Sequence, residues 1–178
     1  MRSKIRGFSL TEVLVTVALL GMFTGLTLSA LGPLSQRYRR RHAAELVAAA
    51  AARARSSARD SGRCHLIEVY QDDNPVALGS AGNRLRVTRY ATPDCENTPA
   101  AAQLQLVEWV PMPSPATVRV VSGAKVVWRP NGRLFLEPAA PKKPARLWVT
   151  SGGEDMSIVL ALNGPVCVTD ELTSEDCP

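Results

Sequence analysis

Histidine is almost missing from this sequence: His42 and His65 are the only two in 178 residues. Neither has a nucleophile and an orienting acid around it in the pattern a catalytic triad needs, so this chemistry has no carrier here. Cysteine is nearly as scarce. Cys64, Cys95, Cys167 and Cys177 are the complete set, and no Cys-x-x-Cys pair occurs among them. Structural zinc sites take four thiolate or imidazole ligands at short spacings. With His65 the sole imidazole after residue 63, zinc is not expected. Internal repeats are absent as well. Asp72-Asp73-Asn74 could supply oxygens of the kind calcium takes, but a polar triplet ahead of Pro75 reads as a turn. No catalytic residue, no metal and no cofactor are expected, and the chain is not read as an enzyme.

Charge is also scarce over one long stretch. From Phe8 to Leu31, a run of 24 residues, Glu12 is the only charged side chain. Such a run reaches ~36 Å as a helix, more than the ~30 Å hydrocarbon core of a bilayer. An ionised carboxylate in lipid costs at least ~2.5 kcal/mol, and acids in spanning segments generally have a partner or a function. The preceding MRSKIRG supplies Arg2, Lys4 and Arg6, as a secretory signal would. The apolar run, however, exceeds the ~7–15 residues of a signal-peptide core. A signal peptide explains neither Glu12 nor the Gly7-Phe8 junction.

A short basic leader, Gly7, Phe8, then Ser9-Leu10-Thr11-Glu12 and an apolar helix together resemble the N-terminal signature of type IV prepilins and type II secretion pseudopilins. The resemblance implies that a membrane-embedded prepilin peptidase cuts between Gly7 and Phe8 and methylates the new amine of Phe8. Glu12 becomes the fifth residue of the mature chain. In that family the acid pairs with the N-terminal amine of a neighbouring subunit as a filament assembles. The physics agrees, because opposite charges in a low-dielectric bundle attract strongly and each alone is costly there. Glu12 is therefore expected to direct assembly.

The formal net charge of +5 raises the question of a polyanionic partner, and its distribution answers it in part. Residues 37 to 63 hold eight arginines against Glu45 and Asp60, whereas residues 64 to 178 hold ten basic and thirteen acidic residues. The basic character belongs to the leader and the helix; the distal part is mildly acidic. Arginines flank the apolar run on both sides, so charge bias alone does not orient it. The resemblance places the N-terminus in the cytoplasm and exports the rest.

Gly21 and Gly25 permit close helix approach in a membrane. Gly32-Pro33 is expected to kink or interrupt the helix, since proline lacks a donor N–H. From Leu34 to about Arg59 alanine and arginine dominate, both strong helix formers. Leu46, Val47, Ala50, Ala51, Ala54 and Ala58 recur at helical spacing and make a shallow apolar stripe. Ser61-Gly62 ends this stalk. Beyond it the period changes to that of strands, at residues 64–70, 84–90, 103–110, 117–121, 125–128, 133–137, 146–150, 156–162 and 166–169. Asn131-Gly132 and Asn163-Gly164 are hairpin signals, and residues 138 to 144 read as a solvated loop.

The expected architecture is α+β and type IV pilin-like. A leader (residues 1–7) precedes an N-terminal helix (8–62, spanning the membrane over 8–31 and forming a stalk over 34–60). A β-rich head of antiparallel sheets follows (63–178). The helix-plus-head pattern resembles the GspH/FimT branch of pseudopilins and minor pilins. "VVWRPNGRLF" (126–135) is similar to that branch's aromatic-x-Pro-x-Gly hairpin, and "IVLALNGPVCV" (158–168) to its closing strands. Such a subunit sits in the bacterial inner membrane by a single pass with a periplasmic head, and after assembly in a filament or at the cell surface. Its partners are other pilin or pseudopilin subunits and the peptidase. In an oxidising periplasm the four cysteines are expected to form disulfides, with three pairings open. Cys167 with Cys177 is favoured, leaving Cys64 with Cys95. The alternative function is a DNA-binding minor pilin in DNA uptake, with Arg129, Arg133, Lys142, Lys143 and Arg146 as the phosphate-contacting patch. The net negative charge of the head and its acidic tail (Asp170, Glu171, Glu175, Asp176) weigh against it.

Overall fold

The computed structural model describes residues 9–77, 79–92, 94–95, 103–121, 125–137, 144–162 and 166–169, with the backbone alone for 26–31 and 33. The chain divides into two compact units, Met1–Arg37 and Tyr38–Pro178, each described by itself.

A single helix, α1 (Leu10–Ser61), contributes to both units. Gly62, with φ +63°, ends it in the left-handed conformation that favours glycine. Arg59 in the last turn suits the negative end of the helix dipole. Gly32-Pro33 does not interrupt α1, contrary to the sequence expectation. The missing donor and the ring clash cost ~3 kcal/mol locally. Strong helix formers on both sides of the proline oppose that local penalty. Within the first unit the apolar side chains from Leu10 to Met22 point outward all along the helix, with Leu10 80 % exposed and Leu20 66 %. Among the described residues, no helix is long and apolar enough to cross a membrane. The expected span, Phe8 to Leu31, begins and ends outside the residues whose side chains are described.

In the second unit ten strands form two antiparallel sheets. The first has the order β4 (Leu104–Pro111), β3 (Arg84–Tyr90), β1 (His65–Gln71), β6 (Lys125–Trp128) and β7 (Leu134–Glu137). The two-residue β2 (Asn74–Pro75) folds back on the end of β1. The second sheet has the order β10 (Val166–Thr169), β9 (Glu154–Leu160), β8 (Ala145–Ser151) and β5 (Thr117–Val120). A bridge between Gly82 and Val118 links the segment before β3 to β5, with reciprocal N–H···O bonds of 2.8 Å. Gly82 is required there, because a Cβ would overlap the Tyr70 carbonyl oxygen.

The core lies between α1 and both sheets. Ala43, Ala44, Val47, Ala50, Ala51, Ala54 and Ala58 are each at most 2 % exposed and belong to one apolar cluster. That cluster includes Ile67, Val69, Leu85 and Val87 of the first sheet and Leu147, Val149, Ile158 and Leu160 of the second. Six of the expected stripe positions are thus present, with Leu46 only partly buried, and the seam extends one turn further back to Ala43. Alanine's single methyl keeps this face of the helix narrow, and the seam is buried in the core that both sheets share. Alternate residues of the first sheet face the other way, so Leu66, Tyr90 and Val127 form a second cluster with Cys64 and Cys95. Cys64 and Cys95 are joined by a disulfide, their Cα atoms 5.8 Å apart.

His65 lies on β1 beside that bond and is 1 % exposed, its Nδ1 3.2 Å from the Arg63 carbonyl oxygen. Burial lowers its pKa below the ordinary 6.5. The Arg63 hydrogen bond opposes that shift, and the Arg89 guanidinium adds to it.

Two outcomes follow from this packing. A group with a depressed native pKa resists a proton that the unfolded chain accepts, so stability is complete above pH ~6.5 and declines as the pH falls below it. Thermal unfolding of residues 38–178 should therefore drop in midpoint between pH 7.5 and 5.5, and His65→Gln should flatten that dependence; an unchanged slope in the variant would refute the assignment. Ala50→Leu should cost ~1–3 kcal/mol by overpacking the seam, a loss of several degrees, whereas Ala49→Leu on the exposed face should cost little. Equal midpoints for the two leucine variants would contradict the seam.

Candidate assembly site

The N-terminal end of α1 carries one half of a capping box. Ser9 occupies the cap position, and Glu12, three residues on, reaches back to accept the Ser9 backbone N–H at 3.3 Å. The Glu12 and Val13 amides donate to the Ser9 carbonyl at 3.0 and 3.3 Å, and the Ser9 and Thr11 hydroxyls are hydrogen-bonded to each other. The acid sits in the first turn, where the helix dipole favours negative charge. One turn on, the Thr16 hydroxyl donates to the Glu12 and Val13 carbonyls at 2.9 and 2.8 Å, so the polar group is absorbed by the helix itself. The result is an apolar rod with one accessible carboxylate near its tip. Gly7 and Phe8, the expected cleavage and methylation positions, lie outside the described residues.

The opposite end of the stalk meets the β6–β7 hairpin. Trp128 is fully buried, with the Arg55 guanidinium 5.5 Å above its ring. Arg55 Nε also donates to the Gly132 carbonyl at 3.1 Å. Burial lowers the Arg55 pKa, and the neighbouring Arg59 cation lowers it further. Gly132 has φ +73°, and a Cβ there would run into the Arg59 guanidinium. The Trp-x-Pro-x-Gly hairpin is thus a clasp for the end of the helix. A second pin, Arg40, is largely buried and ion-paired to Glu154 at the β8–β9 turn. A third joins Arg53 to Glu108 of β4 at 2.6 Å. None of these partners is near its arginine in the sequence. Only the tertiary structure supplies the acids and carbonyls that take them.

The remaining candidates disperse. Arg129 lies 4.5 Å from the Phe135 ring and Arg133 is exposed in the same turn of the first sheet. Arg146 belongs to β8 of the second sheet, opposite Val159. Lys142 and Lys143 lie outside the described residues. Asp72 and Asp73 form the β1–β2 turn, and Asn74 opens β2 opposite Gln71. Asp72, with φ 55°, exchanges two 2.8 Å hydrogen bonds with Asn83, and Asp73 pairs with Arg84 at 3.0 Å. Cys167, on β10, is disulfide-bonded; Cys177 lies outside the described residues. His42 is exposed.

Residues 2–28 match the model of the prokaryotic N-terminal methylation motif. No curated protein matches the chain significantly. Among solved structures, the type IV minor pilin FimU of Pseudomonas aeruginosa is 17 % identical, with 76 % of this chain and 92 % of that one covered and a TM-score of 0.52. The minor pseudopilin EpsH from the type 2 secretion system of Vibrio cholerae is 11 % identical, over 73 % and 95 %, with a TM-score of 0.49. GspH of Escherichia coli is 18 % identical, over 74 % and 88 %, with a TM-score of 0.43. The FimU likeness establishes a shared fold. The chain thus carries a prokaryotic N-terminal methylation motif and shares the α+β fold of the type IV minor pilin FimU, built on one long N-terminal helix.

Proposed function

We propose that the chain is a minor pilin or pseudopilin of the GspH/FimT kind. In this reading prepilin peptidase cleaves it between Gly7 and Phe8 and methylates Phe8, and the mature subunit assembles with other pilins through Glu12. It is held in the inner membrane by a single pass before assembly, with the N-terminus cytoplasmic and the head periplasmic. The filament is a type IV pilus or a type II secretion pseudopilus.

The observation that carries the reading is Glu12 at the tip of an outward-facing apolar helix inside a methylation motif. Among the described residues the carboxylate accepts a single, long bond, from its own Ser9 amide. Cleavage after Gly7 would create a cationic amine four residues away, and an equivalent amine on a neighbouring subunit gives each charge an opposite partner in an apolar bundle. The DNA-uptake alternative is less well supported, because residues 64 to 178 carry ten basic against thirteen acidic residues.

Processing and assembly can be tested separately. A Gly7→Arg variant should retain its leader and migrate as precursor, while mass spectrometry of the wild-type chain should find methylated Phe8 first. An intact Met1 terminus in a host with active peptidase would exclude the proposed maturation. For assembly, breaking a buried pair costs ~3–5 kcal/mol, or roughly two or more orders of magnitude in incorporation. Glu12→Leu should be inserted and cleaved but missing from sheared filaments, and Glu12→Asp should be partly competent. Wild-type partitioning of Glu12→Leu between filaments and membranes would count decisively against Glu12 as the assembly determinant.

A further inference from the structure

Past the apolar run the helix carries Tyr38, Arg39, Arg40 and Arg41 in succession, and the structure divides them. Arg40 is turned inward to Glu154 and is 8 % exposed. At ~100° per residue Tyr38 lies roughly 200° around the helix from Arg40, with Arg39 and Arg41 flanking it. These three are exposed, Tyr38 at 77 %. Arg39 makes no ion pair among the described residues. Arg41 has only the solvent-exposed Glu45 at 3.1 Å, a kind of pair that water and salt weaken readily. In sequence no other acid occurs between Glu12 and Glu45, so the local chain supplies no further counter-charge.

We infer that Tyr38, Arg39 and Arg41 form a collar that binds anionic phospholipid headgroups where α1 leaves the membrane. The inference rests on the membrane-anchored subunit proposed above. Guanidinium groups bind phosphate oxygens with two parallel donors, and tyrosine favours the headgroup layer, where its ring meets apolar surface and its hydroxyl meets water. Seven to ten residues separate the collar from Leu31 in the sequence. That is a helical rise of roughly 10–15 Å, within reach of the headgroup layer and one Debye length of ~8–10 Å. Nucleic acid offers the same phosphate chemistry, but the apolar run ahead of the collar and the exposed tyrosine favour lipid. The collar gives the arginines on the exported side a use, despite their conflict with the positive-inside pattern. It would hold the subunit upright at the membrane until filament entry strips the lipid away.

The test uses the mature full-length chain in phosphatidylcholine vesicles containing a minor fraction of phosphatidylglycerol. Electron paramagnetic resonance of spin-labelled lipids reads the preference for phosphatidylglycerol over phosphatidylcholine beside the protein. Each basic residue near a charged surface is worth roughly a fivefold change in affinity. Wild type should prefer phosphatidylglycerol at least about fivefold, and R39Q/R41Q should lose most of that preference. R39K/R41K, which keeps the charges, should retain it, and high salt should abolish it. No preference in wild type, or the same preference in R39Q/R41Q, overturns the collar. So does binding of a DNA duplex that depends on Arg39 and Arg41 while the lipids show no selectivity. A chain that alkaline washing strips from the vesicles instead overturns the membrane-anchor reading itself, which keeps the two failures distinct.

Discussion

The burial of one narrow face of α1 in a core shared with two sheets is the constraint on which the second unit depends. It is possible because the helix presents a seam of alanines, Ala43 to Ala58, rather than leucines. Alanine keeps helix propensity high while adding little bulk, and a single helical face is buried in one cluster with Ile67 and Val87 of one sheet and Leu147 and Ile158 of the other. Such a seam has little tolerance. A gap or an extra methylene cannot relax toward one sheet without loosening contact with the other. The arginines then set the register of the docked helix. Arg40 reaches the β8–β9 turn, Arg53 the edge strand β4, and Arg55 the hairpin glycine. The exposed pairs add little energy, but they mark where the stalk ends and the turns begin.

Two kinds of apolar surface therefore occur along one helix. Those in the second unit are alanines satisfied by the sheets of the same chain. Those in the first unit are leucines, valines and methionine that face outward, with one acid at the tip capped by its own Ser9 amide. An apolar surface of that size is costly in water and needs lipid or other helices around it. Under the function proposed above, a membrane before assembly and a filament core afterwards would both meet that need. Glu12 distinguishes the two, since lipid offers a carboxylate nothing and a neighbouring amine offers it an ion pair.

The hairpin motif also acquires a physical role. Trp128 fills the core while Arg55 covers its ring, and Gly132 leaves room for Arg59. A pattern first noticed as a family resemblance is thus the clasp on the C-terminal end of the stalk. The disulfide between Cys64 and Cys95 closes the smaller cluster on the outer face of the first sheet. It stabilises a part of the head that the helix does not reach.

The sequence by itself determined what depends on local chemistry and period. The Gly-Phe junction, the acid at a set offset, the alanine stripe, the left-handed stop at Gly62 and most strand positions were all legible before any coordinates. The β8–β9 hairpin was legible but overlooked. Its turn, Gly152-Gly153, has two positive φ values and follows a common two-residue pattern. The interruption expected at Gly32-Pro33 failed because a single lost donor is a local penalty, and helix formation is cooperative over many turns. What only the tertiary structure decided was pairing at a distance. Which sheet each strand joins, which arginine of the 39–41 cluster turns inward, and that Gly82 must touch Val118 all depend on contacts between residues far apart in sequence. No local period encodes such contacts. They arise when two sheets must share one narrow helical face, and the long polar side chains at its margins take the partners that geometry leaves them.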